Sequence, residues 1–480
     1  MKEQNECSLV SRRGLLRNAA CGFGMLGLTA MLAEELSGQS VSNNPLAPKT
    51  PHFTPRAKRL IFLFMHGGPS GIDTFDPKPR LIQDDGKPLP FKQPLSFAPE
   101  QTGGLMRSPW EFHRYGQSGI EVSDLFPHLA TCVDDLCVVR SLVGDGVDHG
   151  GAVLELHTGT LNFVRPSLGS WLLYGLGSEN RNLPGFISIK PTLEHGGAKN
   201  WGTAFLPAYY QGTAIGKSGM KTEDLEKNPI PYLHNNSLTA EQQRFELDML
   251  QKVNQRNLRL SQYDSDLESR IGAFELAFRL QSVAPEAFDI RSETEATKKL
   301  YGLDQEETRS FGWQCLMARR LVERGVRFVQ CTDALPGAGL KWDQHTDLVG
   351  GHTKNAREVD LPIAGLLKDL KSRGLLDDTL VIWGGEFGRT PIAQGRDGRD
   401  HNPYGYTMWM AGGGVKRGFV YGATDEFGYY AVEDPMHIHD LHATILHLLG
   451  LNHEKLTYLY SGRQFRLTDV YGNVAHKILA

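Results

Sequence analysis

The feature that most limits the fold is a recurrence of short apolar runs that halt at glycine, histidine or an acid. Arg59–Met65 (RLIFLFM) ends in His66-Gly67-Gly68-Pro69, Leu136–Leu142 (LCVVRSL) halts before Gly144, and Thr379–Trp383 (TLVIW) ends in Gly384-Gly385. Val326–Cys331 (VRFVQC) has the same character, and Thr407–Ala411 is a fifth candidate. Runs without polar alternation suit strands buried on both faces, as in a parallel sheet. Between them lie amphipathic stretches, Gln314–Arg324, Leu361–Arg373 and Asp440–Leu449, the last closed by Gly450 as a helix C-cap. Strands alternating with helices predict the α/β class, a doubly wound, mostly parallel sheet covered on both faces.

Length and composition narrow this further. A chain of 480 residues allows two or three domains, or one large α/β domain with an insertion. Hydrophobic residues at 40% and charged residues at 22% exclude disorder as the main state. A formal charge of −4, from 51 basic and 55 acidic residues, argues against a nucleic-acid partner held by bulk charge. Six cysteines are too few for a disulfide scaffold, so Cys132, Cys137, Cys315 and Cys331 read as isolated buried thiols.

Residues from about 235 to 300 break the alternation. Ala240–Ser261 and Ser265–Ser282 form two long polar helices with too few apolar residues to close a core, so an insertion packed on the sheet domain is predicted. At the N-terminus, Arg12-Arg13 precedes an uncharged, Ala-, Gly- and Leu-rich stretch, Asn18–Ala33. A basic region before a short apolar one is an export signal, and the paired arginines resemble the twin-arginine type. The stretch is short for a membrane span, so no stable span is expected once residues 1–40 are removed. The expected location is the periplasm or outside the cell. Residues 41–58, punctuated by Pro45, Pro48, Pro51 and Pro55, form a linker, and 59–480 form the α/β domain.

Ligands of an open parallel sheet bind beyond the carboxyl ends of its strands. His66 and Asp73 follow the first run, Asp148, His149 and His157 the second, Asp343 and His345 the Val326 run, and Glu386, Arg389, Asp400 and His401 the Thr379 run. Mixed Asp, Glu and His donors suit a divalent metal, zinc, manganese or iron(II), in a hydrolytic site, with zinc or manganese expected first. Two metals about 4 Å apart would polarise a phosphoryl or sulfuryl oxygen and activate water near neutral pH. Arg389 is the candidate clamp for a tetrahedral anion. Asp76, His157 and His352 read as structural. So do most of the C-terminal histidines, with His439 the residual candidate.

Three segments carry a resemblance. They are Phe64-Met65-His66-Gly67-Gly68-Pro69-Ser70 with Asp73-Thr74-Phe75-Asp76-Pro77, Glu386-Phe387-Gly388-Arg389-Thr390-Pro391 with Gly398-Arg399-Asp400-His401, and Asp440–Gly450. Together they resemble a twin-arginine-exported, sulfatase-like family of uncharacterised bacterial proteins in the alkaline phosphatase and sulfatase superfamily. The resemblance implies an alkaline phosphatase-like core and metal-assisted cleavage of phosphate or sulfate esters. The superfamily nucleophile stands ten residues before the glycine of a Thr-Gly pair; for Thr158-Gly159 that position is His149, where Ser, Thr or a modified Cys is usual. No Cys-x-Pro-x-Arg motif is present, so formylglycine chemistry is not supported.

The expected ligands are therefore His66, Asp73, His149, Asp343, His345, Glu386 and His401, with His149 and Arg389 as catalytic candidates. His149 is read as a ligand, leaving activated water as the attacking group, although a nucleophilic role stays open. The expected substrate is a small anionic ester or a sulfated or phosphorylated polysaccharide. A non-catalytic, metal-containing binding protein for anionic envelope or polysaccharide ligands is the alternative, motivated by the missing nucleophile.

Overall fold

The computed structural model describes residues 45–230, 237–260, 265–337 and 339–480. The expected export signal and residues 41–44 lie outside them. The strands that frame the centre of the molecule are β1 (Arg59–Met65), β2 (Thr102–Leu105), β3 (Leu136–Val143), β4 (Phe186–Ile189), β5 (Thr213–Ile215), β6 (Phe328–Asp333), β7 (Thr379–Gly384), β8 (Gly388–Gln394), β9 (Gly398–Asn402), β10 (Tyr406–Ala411), β11 (Phe419–Tyr421) and β12 (Met436–His437). The principal helices are α1 (His149–Thr158), α2 (Leu168–Leu176), α3 (Ala240–Leu260), α4 (Ser265–Phe288), α5 (Glu306–Glu323), α6 (Leu348–Ser372) and α7 (Ile438–Leu448).

The central sheet runs β11-β3-β10-β7-β1-β6-β4-β5, with β12 also paired to β3. β7, β1, β6, β4 and β5 are mutually parallel, and β10 alone runs antiparallel to both its neighbours, β7 and β3. The sheet is thus α/β and mostly parallel, as the mainly apolar runs predict. β1 shows why. Its side chains alternate between two cores: Ile61, Leu63 and Met65 pack with α5 and α6 on one face. Leu60, Phe62 and Phe64 pack with α1, α2 and α7 on the other. Each such side chain, fully buried, contributes about 1.5–3 kcal/mol, so a polar residue at any of these six positions would be costly.

Two helices run past the bounds that the sequence predicts, each through a proline. α6 starts at Leu348, not near Leu361, and runs through Pro362. The buried face formed by Ala356, Val359 and Ile363 carries the helix past the missing N–H. α4 likewise continues through Pro285 to Phe288, because Leu280, Ala284, Ala287 and Phe288 insert into the core shared with α5 and α6. The two polar helices thus exist, and the second docks on the sheet domain by its C-terminal turns. The four described cysteines are free and buried. Among the described residues, no helix is long and apolar enough to cross a membrane.

Because β7 and β10 are adjacent but opposite in direction, the chain between them must turn at the carboxyl edge of the parallel strands. It does so as the β8–β9 hairpin, with Arg389 paired to His401, and β2 adds a third strand to that hairpin. The hairpin roofs the edge where β1, β3, β6 and β7 end.

Candidate metal centre

His149, Asp343, His345 and His401 each present one ligand atom under this roof, all within 4.8 Å of one another. They come from the start of α1, the loop after β6 and strand β9. Asp148 caps α1 by accepting the Gly151 N–H at 3.1 Å, which fixes His149 as the first helical residue. Asp343 lies at the centre. Its Oδ1 is 2.9 Å from His345 Nε2 and 3.3 Å from His401 Nε2, and its Oδ2 is 3.4 Å from His149 Nε2. Arg389 donates to Oδ1 at 2.7 Å. Burial opposes charge on Asp343, but the guanidinium of Arg389 and the three imidazoles hold its carboxyl far below the usual range.

The other nitrogen of each ring assigns its tautomer. His149 Nδ1 is 2.6 Å from the Glu386 carboxylate, His401 Nδ1 is 2.8 Å from the Val147 carbonyl, and His345 Nδ1 meets the Gln394 side-chain oxygen. All three partners are acceptors, so each Nδ1 carries a proton; a doubly protonated ring donates to Asp343 from Nε2, and a neutral ring turns a bare Nε2 lone pair there. Three lone pairs and a carboxylate facing one another repel unless a cation lies among them or the rings are charged. Burial lowers the His401 pKa to about 4, against the pull of Asp343. For His149, burial also works against charge, yet the bonds to Asp343 and Glu386 outweigh it and raise the pKa. Imidazoles anchored from outside by carboxylate and carbonyl acceptors are the usual support of metal-binding histidine.

Glu386 and His66 lie beside this group. Glu386 accepts the Gly67 N–H at 3.0 Å on the oxygen that meets His149, and hydrogen bonding to His149 outweighs burial to lower its pKa to about 2. His66 has no exposed surface, and neither ring nitrogen has a hydrogen-bond partner. Burial lowers its pKa to about 4, so it too is a neutral ring. The sequence reading missed His195, whose ring lies 5.1 Å from His66 and 5.6 Å from His149 and whose Nδ1 is buried and unpartnered. It follows β4, a four-residue strand (FISI) too short to stand out among its Gly and Pro neighbours.

Two expected site residues are placed otherwise. Asp73 does not reach the cluster; its oxygens bond Arg399 at 2.7 and 3.1 Å and take the Ser70 hydroxyl. Arg389 is not arranged as an anion clamp. Its donors go to the Gly67, Gly68 and Arg399 carbonyls and to Asp343, with no exposed side-chain surface left for an oxyanion. It ties the turn after β1 to the central carboxylate. His352 accepts the Ser70 N–H and His157 bonds the Val153 carbonyl within α1, while Asp76 pairs with Lys78. His439 bonds the Gly159 carbonyl and His442 the Leu156 carbonyl, away from the cluster.

The sequence profile of a family described as "Protein of unknown function (DUF1501)" matches residues 57–479. The chain belongs to this family. No curated protein matches it. Among solved structures, this DUF1501 chain is similar to the lipoteichoic acid synthase LtaP from Listeria monocytogenes, at 9% identity and TM-score 0.37, over 88% of this chain and 79% of that one. It is similar to the alkaline phosphatase of the Antarctic bacterium TAB5, at 10% identity and TM-score 0.31, over 84% and 99%. The PsFucS1 sulfatase from Pseudoalteromonas sp. aligns at 13% identity and TM-score 0.31, over 83% and 68%.

The donor set fits a divalent cation. His149, Asp343, His345 and His401 supply three imidazole nitrogens and one carboxylate, the composition that zinc or manganese accepts. Phe387 stacks on His401 at 4.3 Å and Phe97 at 4.9 Å, which keeps water from the ring faces.

Proposed function

We propose that this DUF1501 chain is a divalent-cation-dependent hydrolase of phosphate or sulfate esters, exported by the twin-arginine route to the periplasm or beyond. The observation that carries the reading is the convergence of three outward-anchored imidazoles on Asp343. In this reading His149, Asp343, His345 and His401 hold the cation, zinc or manganese. When bound, it supplies Lewis-acid polarisation of the ester oxygen and lowers the pKa of a water placed against it. The chain's own groups do the rest. Glu386 keeps the His149 proton on Nδ1, so this ring is a donor of a lone pair rather than an attacking group. The Arg389 guanidinium keeps Asp343 ionised, and the aromatic rings of Phe387 and Phe97 limit water. His66 and Glu386 are the groups available to a second cation. The substrate class is a small anionic ester or a sulfated or phosphorylated polysaccharide.

The test is metal content by mass spectrometry and turnover of aryl phosphates and aryl sulfates by the purified chain. The expected result is at least one zinc or manganese per chain, lost with activity in His345→Ala and His401→Ala variants that remain folded. A folded wild-type chain that takes up neither metal overturns the proposal. Tight metal binding without turnover of any ester supports instead the reading as a binding protein.

A further inference from the structure

Beside the cluster lies a cavity of about 420 Å³, bounded by Lys190, Ser310, Lys341, Lys354, Asp333 and Glu358. Two loops that serve the cluster also wall this cavity. The loop after β6 gives Lys341 and Gln344 to the cavity and Asp343 and His345 to the cluster. The loop after β4 gives Lys190 to the cavity and brings the His195 ring against His66 and His149.

The charges in the cavity do not balance. Lys341 is spent between Asp333 and Glu358, so both carboxylates share one ammonium. Lys190 is 7% exposed, and its Nζ donates to the Ser310 hydroxyl at 2.8 Å. Among the described residues, no carboxylate lies within ion-pair distance of it. A buried ammonium held by a neutral hydroxyl is a costly arrangement, since burial of charge is tolerated when an opposite charge meets it. Burial accordingly lowers the Lys190 pKa to about 8, with the nearby Lys341 adding to the effect and the more distant carboxylates of Asp333 and Glu223 only partly opposing it. The backbone is strained at the same place. Lys190 and His195 both have φ near +48°, a conformation that side chains other than glycine rarely hold, and the Lys190 N–H is pinned to the Ile215 carbonyl at 2.8 Å. Strain of this kind gathers where a side chain must be aimed.

We infer that this cavity is an anion subsite, in which Lys190 and Ser310 receive a carboxylate or sulfate group on a ring of about sugar size. The volume exceeds that of a bare ion and falls in the range of small organic ligands. Because its two walls also position the cluster, the anion is assigned to a second charged group of the same substrate. That assignment of source rests on the hydrolase reading; the anion site itself does not.

The test has two arms. First, titration calorimetry measures binding of inorganic sulfate and of glucuronate to the full chain stripped of metal by a chelator. The expected result is one anion per chain, weakened about thirtyfold or more in Lys190→Met, as for one member of a buried charge pair. The Lys354→Ala variant, which removes an exposed charge, should weaken it less than about fivefold. Second, the metal-loaded chain is given aryl esters with and without a second carboxylate. The expected result is a lower KM for the doubly charged ester than for the singly charged one, and a ratio of the two KM values that falls to about one in Lys190→Met. Absence of anion binding by the wild-type chain, or equal binding by Lys190→Met, overturns the subsite. Anion binding with no KM preference overturns the assignment to substrate. Loss of sulfate binding in Lys190→Met, in a chain that hydrolyses no ester, upholds the subsite and counts against the hydrolase reading alone.

Discussion

Replacing Asp73 by Asn tests whether this carboxylate serves a metal or an arginine. In the structure neither Asp73 nor Arg399 has any exposed side-chain surface, and two guanidinium nitrogens contact the two carboxylate oxygens. Asp73→Asn removes the negative charge and leaves Arg399 buried with only neutral partners, the Thr390 and Met106 carbonyls among them. Breaking a buried pair from one side costs about 3–5 kcal/mol. The lower end applies here, because asparagine keeps one acceptor oxygen and those carbonyls stay bonded to Arg399. A loss of about 3 kcal/mol in a chain of this size lowers Tm by about 3 °C, from an unfolding entropy of about 2 cal/mol/K per residue. The assay is urea unfolding of the purified chain, with metal content measured on the same samples. The expected outcome is a lower midpoint at an unchanged slope and an unchanged metal-to-protein ratio. The double variant Asp73→Leu/Arg399→Met should recover part of the loss, since it leaves no lone charge. A variant that loses one metal equivalent while its stability falls by less than about 1 kcal/mol would refute the ion-pair reasoning and return Asp73 to the ligand set.

Three further outcomes are expected. Gly398→Ala should reduce metal occupancy, because a Cβ there would lie 1.9 Å from the His345 carbonyl oxygen and push the β9 strand away from the loop that carries His345; equal occupancy would contradict this. Burial raises the Glu155 pKa to about 7, above the value it has in the unfolded chain, so its contribution to stability is full below that unfolded value and fades as pH rises through about 7. Glu155→Gln should therefore be more stable than wild type at pH 8, as read by thermal unfolding, with the difference gone by pH 5. Cys132, Cys137, Cys315 and Cys331 should react with a thiol reagent only after denaturant is added, because all four are buried; rapid labelling of native protein at these positions would contradict the core described above.

Much of the fold is legible in the sequence because both faces of the central strands are buried. That requirement writes mainly apolar runs at β1, β3, β6 and β7, and the polar residues after each run mark the edge where a site can form. Legibility fails where partners are distant. Asp73 looks like a strand-end ligand until Arg399, 326 residues away, is seen to claim it. Arg389 looks like an anion clamp until the turn after β1 folds over it and takes its donors. His195 was passed over because β4 is four residues long, and a strand that is not seen leaves its end unsearched. The bounds of α4 and α6 are also hard to read, because both helices continue through a proline, Pro285 and Pro362, where burial of the flanking face outweighs one lost hydrogen bond.

The antiparallel course of β10 has a mechanical consequence. The hairpin that carries Arg389 and His401 is spliced at both ends into neighbouring strands of the main sheet, three residues after β7 and three before β10. It cannot swing like a flap on a hinge, because any large displacement must first unzip β10 from β3 and β7, with Trp409 stacked on Trp383. The ceiling over the cluster is therefore masonry rather than a door, and at its flank the half-open ring of Phe97 leans on His401.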